Sequence, residues 1–163
     1  MKMGIVLFRL DERLIHGQVV VGWAEVLKPD RLVIFNNQVA SSPWERELYL
    51  CCVPPPYQAS VYNLEEAFQK LSNGNFEKEK VIVVVDKVED IAELVKKGAE
   101  IAQVNIGGIY HRPDRQKILP YLYLSRPEMA IFEELLEAGV KFTCQDVPTG
   151  KPEDLRVLLQ KYF

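Results

Sequence analysis

Short apolar runs alternating with amphipathic stretches constrain this chain more than any other feature of its sequence. Residues 5–10, 31–36 and 81–86 are rich in Val, Ile and Leu at both odd and even positions. A strand solvated on one face alternates apolar with polar side chains. A strand covered on both faces does not, and parallel sheets need that second kind. Weaker strand candidates lie at 58–62, 102–106, 120–124 and 141–145.

The helix starts between these runs are legible. Ser42-Pro43-Trp44-Glu45 reads as an N-cap, a proline at the first helical position and a glutamate closing a capping box. Asn63 with Glu66, Asp86 with Glu89, and Ser125 with Glu128 repeat the same offset, each shortly after a candidate strand. Val88, Ile91, Ala92 and Val95 then share one helical face, as do Phe132, Leu135 and Leu136, with Gly139 as a stop. Strands alternating with helices predict right-handed βαβ units in an α/β fold, an open, mainly parallel twisted sheet with helices on both faces. Residues 1–163 show no repeat, low-complexity tract or long linker and are expected to form a single domain. Pro54-Pro55-Pro56 reads as a stiff extended connector within it.

Composition excludes several classes. A formal net charge of -3 argues against a general nucleic-acid binder, and no aromatic stacking pattern sits beside basic residues. The apolar run at 4–8 is too short for a signal-peptide core or a membrane span. Charge pairs such as Glu93 with Lys96 and Lys97 are those of a solvated helix, not of a basic membrane-surface helix. The three cysteines, Cys51, Cys52 and Cys144, fit neither a disulfide framework nor a zinc knuckle. They are expected as buried or half-buried free thiols in a reducing cytoplasm.

In such a fold, chemistry gathers at the carboxyl ends of the strands. After the first run the chain reads Arg9-Leu10-Asp11-Glu12-Arg13-Leu14-Ile15-His16-Gly17-Gln18-Val19, and a helix follows with Val19, Val20, Trp23, Ala24 and Leu27 inward. Asp11 to His16 must therefore form the first βα loop. It gathers two arginines, two acids and one of the chain's two histidines, counted from Arg9. Phosphoryl transfer through histidine needs such a set: a neutral imidazole as nucleophile, and guanidinium or N–H donors for the charge on three phosphoryl oxygens. A helix beginning just past the histidine adds partial positive charge. Gly17 lets another group approach the backbone closely. The same residues also suit a salt-bridged surface turn.

That eleven-residue run, with Trp23 after it, closely resembles the signature of the IIB domains of the mannose–fructose–sorbose phosphotransferase family. Arg31-Leu32-Val33-Ile34-Phe35 with Val39-Ala40, Pro54-Pro55, Val104-Asn105-Ile106-Gly107-Gly108-Ile109 and Gly139-Val140 are similar to later family motifs. The resemblance implies that His16 accepts a phosphoryl group from the phosphohistidine of a IIA component. It then passes the group to a sugar translocated by the membrane components IIC and IID, with no metal and no cofactor, typically through Nδ1. It implies a transition-state role for Arg13 and, for Arg9, holding the loop or meeting the partner. Asp11 would orient the loop and pair with an arginine. The protein is expected in the cytoplasm, docking at the inner face of the membrane, and self-association is left open. Where the family commonly carries an acidic pair, this chain has Asn37 and Gln38.

Gly107-Gly108 reads as a tight turn or, with the resemblance, as backbone N–H groups offered to a phosphate at the same sheet edge. Arg112 matches a family arginine and either lines the groove or is a solvated charge. His111 has no further ligands at metal-site spacing and reads as a surface histidine. The runner-up function is a regulatory phosphoprotein or partner-binding module with the same loop and no transport role. A nucleotide-binding domain would need a glycine-rich first loop, and this one is charged.

Overall fold

The computed structural model describes residues 3–162. Its strands are β1 (Gly4–Asp11), β2 (Arg31–Phe35), β3 (Gln58–Tyr62), β4 (Lys80–Val85), β5 (Gln103–Gly108), β6 (Gln116–Leu119), β7 (Leu122–Leu124), β8 (Lys141–Cys144) and β9 (Glu153–Asp154). Helix α1 opens as a π-helix over Gln18–Trp23 and continues as an α-helix over Ala24–Leu27. The others are α2 (Asn37–Ser41), α3 (Pro43–Cys51), α4 (Leu64–Ser72), α5 (Val88–Lys96), α6 (Arg126–Glu137) and α7 (Leu155–Gln160).

Seven strands form the main sheet in the order β3-β2-β4-β1-β5-β8-β9. All pair in parallel except β9, which runs antiparallel to β8. The two parities of the central strands feed two cores, as the doubly apolar runs require. Leu32, Ile34, Ile82 and Val84 pack beneath α1–α3 with Val19 and Trp23. Val33, Phe35, Val81, Val83 and Val85 pack beneath α4–α7 with Leu64, Ile91, Phe132 and Leu158. The connection leaving β1 leads to one side of it and the connection leaving β5 to the other, so a crevice opens over the carboxyl ends of β1 and β5.

Local chemistry explains most helix ends. Asn63–Glu66 and Ser125–Glu128 form reciprocal capping boxes, and Gly139, at φ 98°, follows the end of α6. Ser42 accepts from the Glu45 N–H, but the Glu45 carboxylate turns to Gln38 instead of closing the box. The expected box at Asp86 is absent: α5 starts one residue later, on Lys87, without a side-chain cap. The buried face of α5 also includes Leu94, with Ala92 and Val95 only partly covered.

Three further expectations need correction. The run at 120–124 does not join the main sheet; its β7 portion pairs antiparallel with β6 in a hairpin that Ile109 attaches to the end of β5. The polar exposed start of β6, Gln116-Lys117, has no strand signature. The proline run turns rather than extends, since the Tyr57 N–H donates to the Pro54 carbonyl at 3.2 Å. Cys51 and Cys52 are exposed at the end of α3, a helix with no fully buried residue, while Cys144 is buried.

Candidate functional site

The site grows from the end of β1. Arg9 is fully buried, opposite Asn105 of β5 in the parallel register. Its Nη1 donates to Asn105 Oδ1 (2.5 Å) and the Gln145 carbonyl (3.1 Å), and its Nη2 to the Asp146 carbonyl (2.8 Å). Arg9 therefore braces the ends of β1, β5 and the segment after β8. Its guanidinium lies 5.4 Å from the Trp23 ring centre and flat against Gly107, where a Cβ would sit 1.9–2.5 Å from guanidinium atoms. Burial lowers its pKa against the pull of Asp11.

Asp11, the last residue of β1, is also fully buried and is surrounded by donors. Oδ2 accepts from Arg9 Nη2 (3.3 Å), Arg13 Nη2 (3.2 Å) and His16 Nε2 (2.9 Å), and Oδ1 from the Arg13 N–H (3.0 Å) and Nε (3.2 Å). Burial alone pushes this carboxyl up. Hydrogen bonds from His16 and Arg13 outweigh it and hold the group below its ordinary range.

The chain then turns sharply. The Leu14 N–H donates to the Asp11 carbonyl at 3.0 Å, and Leu14 takes a left-handed φ of 57°. A leucine there costs on the order of 1–3 kcal/mol. Burial of the neighbouring Leu14 and Ile15 side chains holds the turn.

His16 emerges from that turn at the start of α1. Its Nε2 faces the Asp11 carboxylate, and its Nδ1 lies 3.2 Å from the backbone N–H of Gln18. An ionised carboxylate only accepts and a backbone N–H only donates, so the ring proton is on Nε2 and the Nδ1 lone pair is free of it. In that tautomer Nδ1 carries a lone pair, and the Gln18 N–H is directed at it. A side chain at Gly17 would meet no residue beyond its chain neighbours, and the His16 side chain keeps 16% of its surface exposed. Arg13 is partly exposed; its Nη2 also donates to Gln18 Oε1, and its guanidinium carbon lies 5.0 Å from the Tyr110 ring centre.

His16, Arg13, Arg9, Asp11 and Gly17 thus come together. Gly107 and Gly108 lie beside them, but their missing side chains leave room for Arg9 and for Tyr110, whose ring and hydroxyl are 2.3–2.9 Å from a Cβ at Gly108. Arg112 is exposed and pairs with Asp114 (3.3 Å) and Glu128 (3.7 Å), not with the first loop. His111 packs edge-on to Tyr123. Asn37 accepts from the Leu64 N–H at 2.8 Å, tying α2 to the start of α4, and Gln38 donates to Glu45.

Sequence reasoning did not single out Glu12, Tyr110 or Arg115. Arg115 Nη1 reaches both Glu12 oxygens (2.9 and 3.0 Å), and its Nε and Nη2 reach the Glu128 carboxylate (3.1 and 2.6 Å). Glu12 and Arg115 are 103 positions apart, and no local pattern marks such a pair. No group of three or more metal-ligating side chains occurs among the described residues, and no described helix is long and apolar enough to cross a membrane.

The family model for the sorbose subfamily IIB component of the phosphotransferase system matches residues 5–162. The sorbose-specific EIIB component of Klebsiella pneumoniae is 34% identical over 139 residues, covering 85% of each chain. The fructose-specific EIIB component of Bacillus subtilis is 27% identical over 158 residues, 97% of each. The crystal structure of the IIB domain of the Klebsiella sorbose permease superposes with a TM-score of 0.90 at 30% identity over 99% of both chains.

Proposed function

We propose that this chain, which belongs to the sorbose subfamily of phosphotransferase-system IIB components, carries a phosphoryl group on Nδ1 of His16. The observation that carries the proposal is the Asp11–His16 pair: a buried carboxylate that keeps the proton on Nε2 and leaves Nδ1 as the attacking atom. In the first step the Nδ1 lone pair bonds to phosphorus as the N–P bond to a IIA phosphohistidine breaks. The imidazole gains positive charge as it does so, and Asp11 faces that charge. In the second step the N–P bond on His16 breaks as an O–P bond forms to a sugar hydroxyl, the hydroxyl proton passes to solvent, and His16 returns to its neutral form.

Arg13, which shares Asp11 Oδ2 with the His16 ring and is partly exposed, is the cation available to the phosphoryl oxygens. Loss of one such donor costs on the order of 10²–10³ in rate. Arg9 has no route to the phosphoryl group, because every one of its contacts is internal; it holds Asp11 and the loop. The translocation path would belong to IIC and IID, with this chain at the inner membrane face. Relatives named for sorbose and for fructose are similar to this chain over 85% and 97% of its length.

The test is phosphorylation of the purified chain by phosphoenolpyruvate, the general components and a cognate IIA, read by intact mass and acid lability. An acid-labile gain of one phosphate that disappears in His16→Gln is the expected result. A His16→Gln variant that is phosphorylated like the native chain removes His16 from the role.

A further inference from the structure

Arg13 is a long side chain, and a group that must meet a transferring phosphoryl has to be held ready for it. We propose that Tyr110 is the positioning residue for Arg13, and that the ion network through Glu12 and Arg115 holds Tyr110 in place. The inference rests on the phosphocarrier role of His16.

Three contacts act on the Arg13 guanidinium. Asp11 draws it inward, Gln18 accepts from one edge, and the Tyr110 ring covers one face at 5.0 Å. A planar guanidinium on an aromatic face keeps its donors free at the rim, which an ion pair alone does not ensure. Were the carboxylate its only partner, Arg13 would lose that partner whenever it reached for a phosphoryl oxygen. The ring contact survives a small rotation of the guanidinium in its own plane.

Tyr110 is itself unusually constrained for a loop residue. Its N–H donates to Glu12 Oε1 (2.6 Å), and its carbonyl accepts from Arg115 Nη1 (2.8 Å). The ring lies over Gly108, in space that any side chain there would fill. Glu12 is fixed in turn by its own N–H, which donates to the Gly108 carbonyl (2.9 Å). Arg115 is almost fully buried, and the Glu128 carboxylate that grips it is the one that closes the capping box at the start of α6. A continuous set of charge-assisted hydrogen bonds thus runs from the first turn of α6 to the backbone of Tyr110, whose ring supports Arg13.

The test measures phosphoryl transfer from phosphorylated IIA to the full chain over a range of IIA concentrations, for the native protein, Tyr110→Phe and Tyr110→Leu. Tyr110→Leu should lower the maximal rate about tenfold with the half-saturating IIA concentration unchanged, as expected from losing one cation–π contact at a partly desolvated site. Tyr110→Phe should restore the native rate, because the face matters and the hydroxyl does not. In an Arg13→Ala background, Tyr110→Leu should have no further effect. That comparison separates positioning from general destabilisation, which would slow both backgrounds alike.

A Tyr110→Leu rate equal to the native one overturns the inference. So does a Tyr110→Phe rate as low as that of Tyr110→Leu, or a full effect without Arg13. Failure of the native chain to gain an acid-labile phosphate removes the phosphocarrier role, and the positioning role with it. A labelled native chain with equally fast variants removes only the positioning role.

Discussion

A charged side chain with no exposure at the end of a parallel strand is costly unless every donor and its charge are answered. Arg9 answers the charge with Asp11 and four of its donor contacts with Asp11, Asn105, Gln145 and Asp146, though its Nε finds no partner. Breaking such a buried arrangement from one side costs on the order of 3–5 kcal/mol. Gly107 is where this is most easily tested. The β1–β5 register slips at that residue, and a Cβ would meet the guanidinium at 1.9–2.5 Å. Arg9 has little room to retreat, because Trp23 packs against it and two of its acceptors are backbone carbonyls of a neighbouring loop. Gly107→Ala should therefore lower unfolding stability by about 3 kcal/mol and slow phosphoryl transfer by displacing Asp11, both read on one preparation by urea titration and transfer rate. A variant as stable as the native chain would mean that the guanidinium has somewhere else to go. Sequence alone left Arg9 with two roles, bracing the loop or meeting a partner. Its burial supports bracing, and that burial depends on residues 96 to 137 positions away, beyond the reach of any local pattern.

Among the elements, legibility tracked how local the deciding chemistry is. Asn63–Glu66 and Ser125–Glu128 were readable because both partners of each capping box lie within one turn. Asp86 carries the same spacing and fails: the helix is capped at Lys87, without a side-chain bond, and the buried Asp86 Oδ1 has no partner. The cost of that helix start falls on Asp90, buried in the first turn of α5 with Lys87 only at 4.0 Å. Burial pushes the Asp90 carboxyl up to about 6; Lys87 pulls it down, and Asp86, Glu93 and Glu89 add to the rise. Between its ordinary value of 3.8 and about 6, the folded chain holds a proton that the unfolded chain has released. Stability contributed by this group is then present in full at low pH and lost as pH rises through that window. Asp90→Asn removes the dependence. It should stabilise the protein by about 2–3 kcal/mol at pH 8 and by roughly nothing at pH 3.5, after allowance for a helix-dipole loss of about 0.5 kcal/mol. Equal effects at both pH values, in thermal melts of the two proteins, would refute the titration of Asp90.

At the scale of the whole molecule, the doubly apolar runs were enough to predict a parallel sheet covered on both faces, because burial of both parities leaves few alternatives. They were silent about the β6–β7 hairpin, whose strands are short and half polar, and about β9, which has two residues. The hairpin is also a separate two-stranded sheet, outside the ladder of the main one. Its links are the backbone bonds from Ile109 to Tyr121 and Tyr123, burial of Ile118, Leu122 and Leu124, and the Arg115 network. β4, by contrast, sits between β1 and β2 with residues 81–85 wholly buried. Two levels of stability follow, with β4 opening only in global unfolding and the hairpin opening below it. Native-state amide exchange should resolve them, and Arg115→Met should separate them further. Losing the charge-assisted bonds of Arg115 should speed exchange at Tyr110 and in β6 by on the order of ten- to a hundredfold. Exchange in β4 should slow or quicken only by as much as global stability changes. If the β4 amides accelerate together with those of the hairpin, the two are one cooperative unit, and Arg115 holds up the fold as a whole rather than the loop that carries Tyr110.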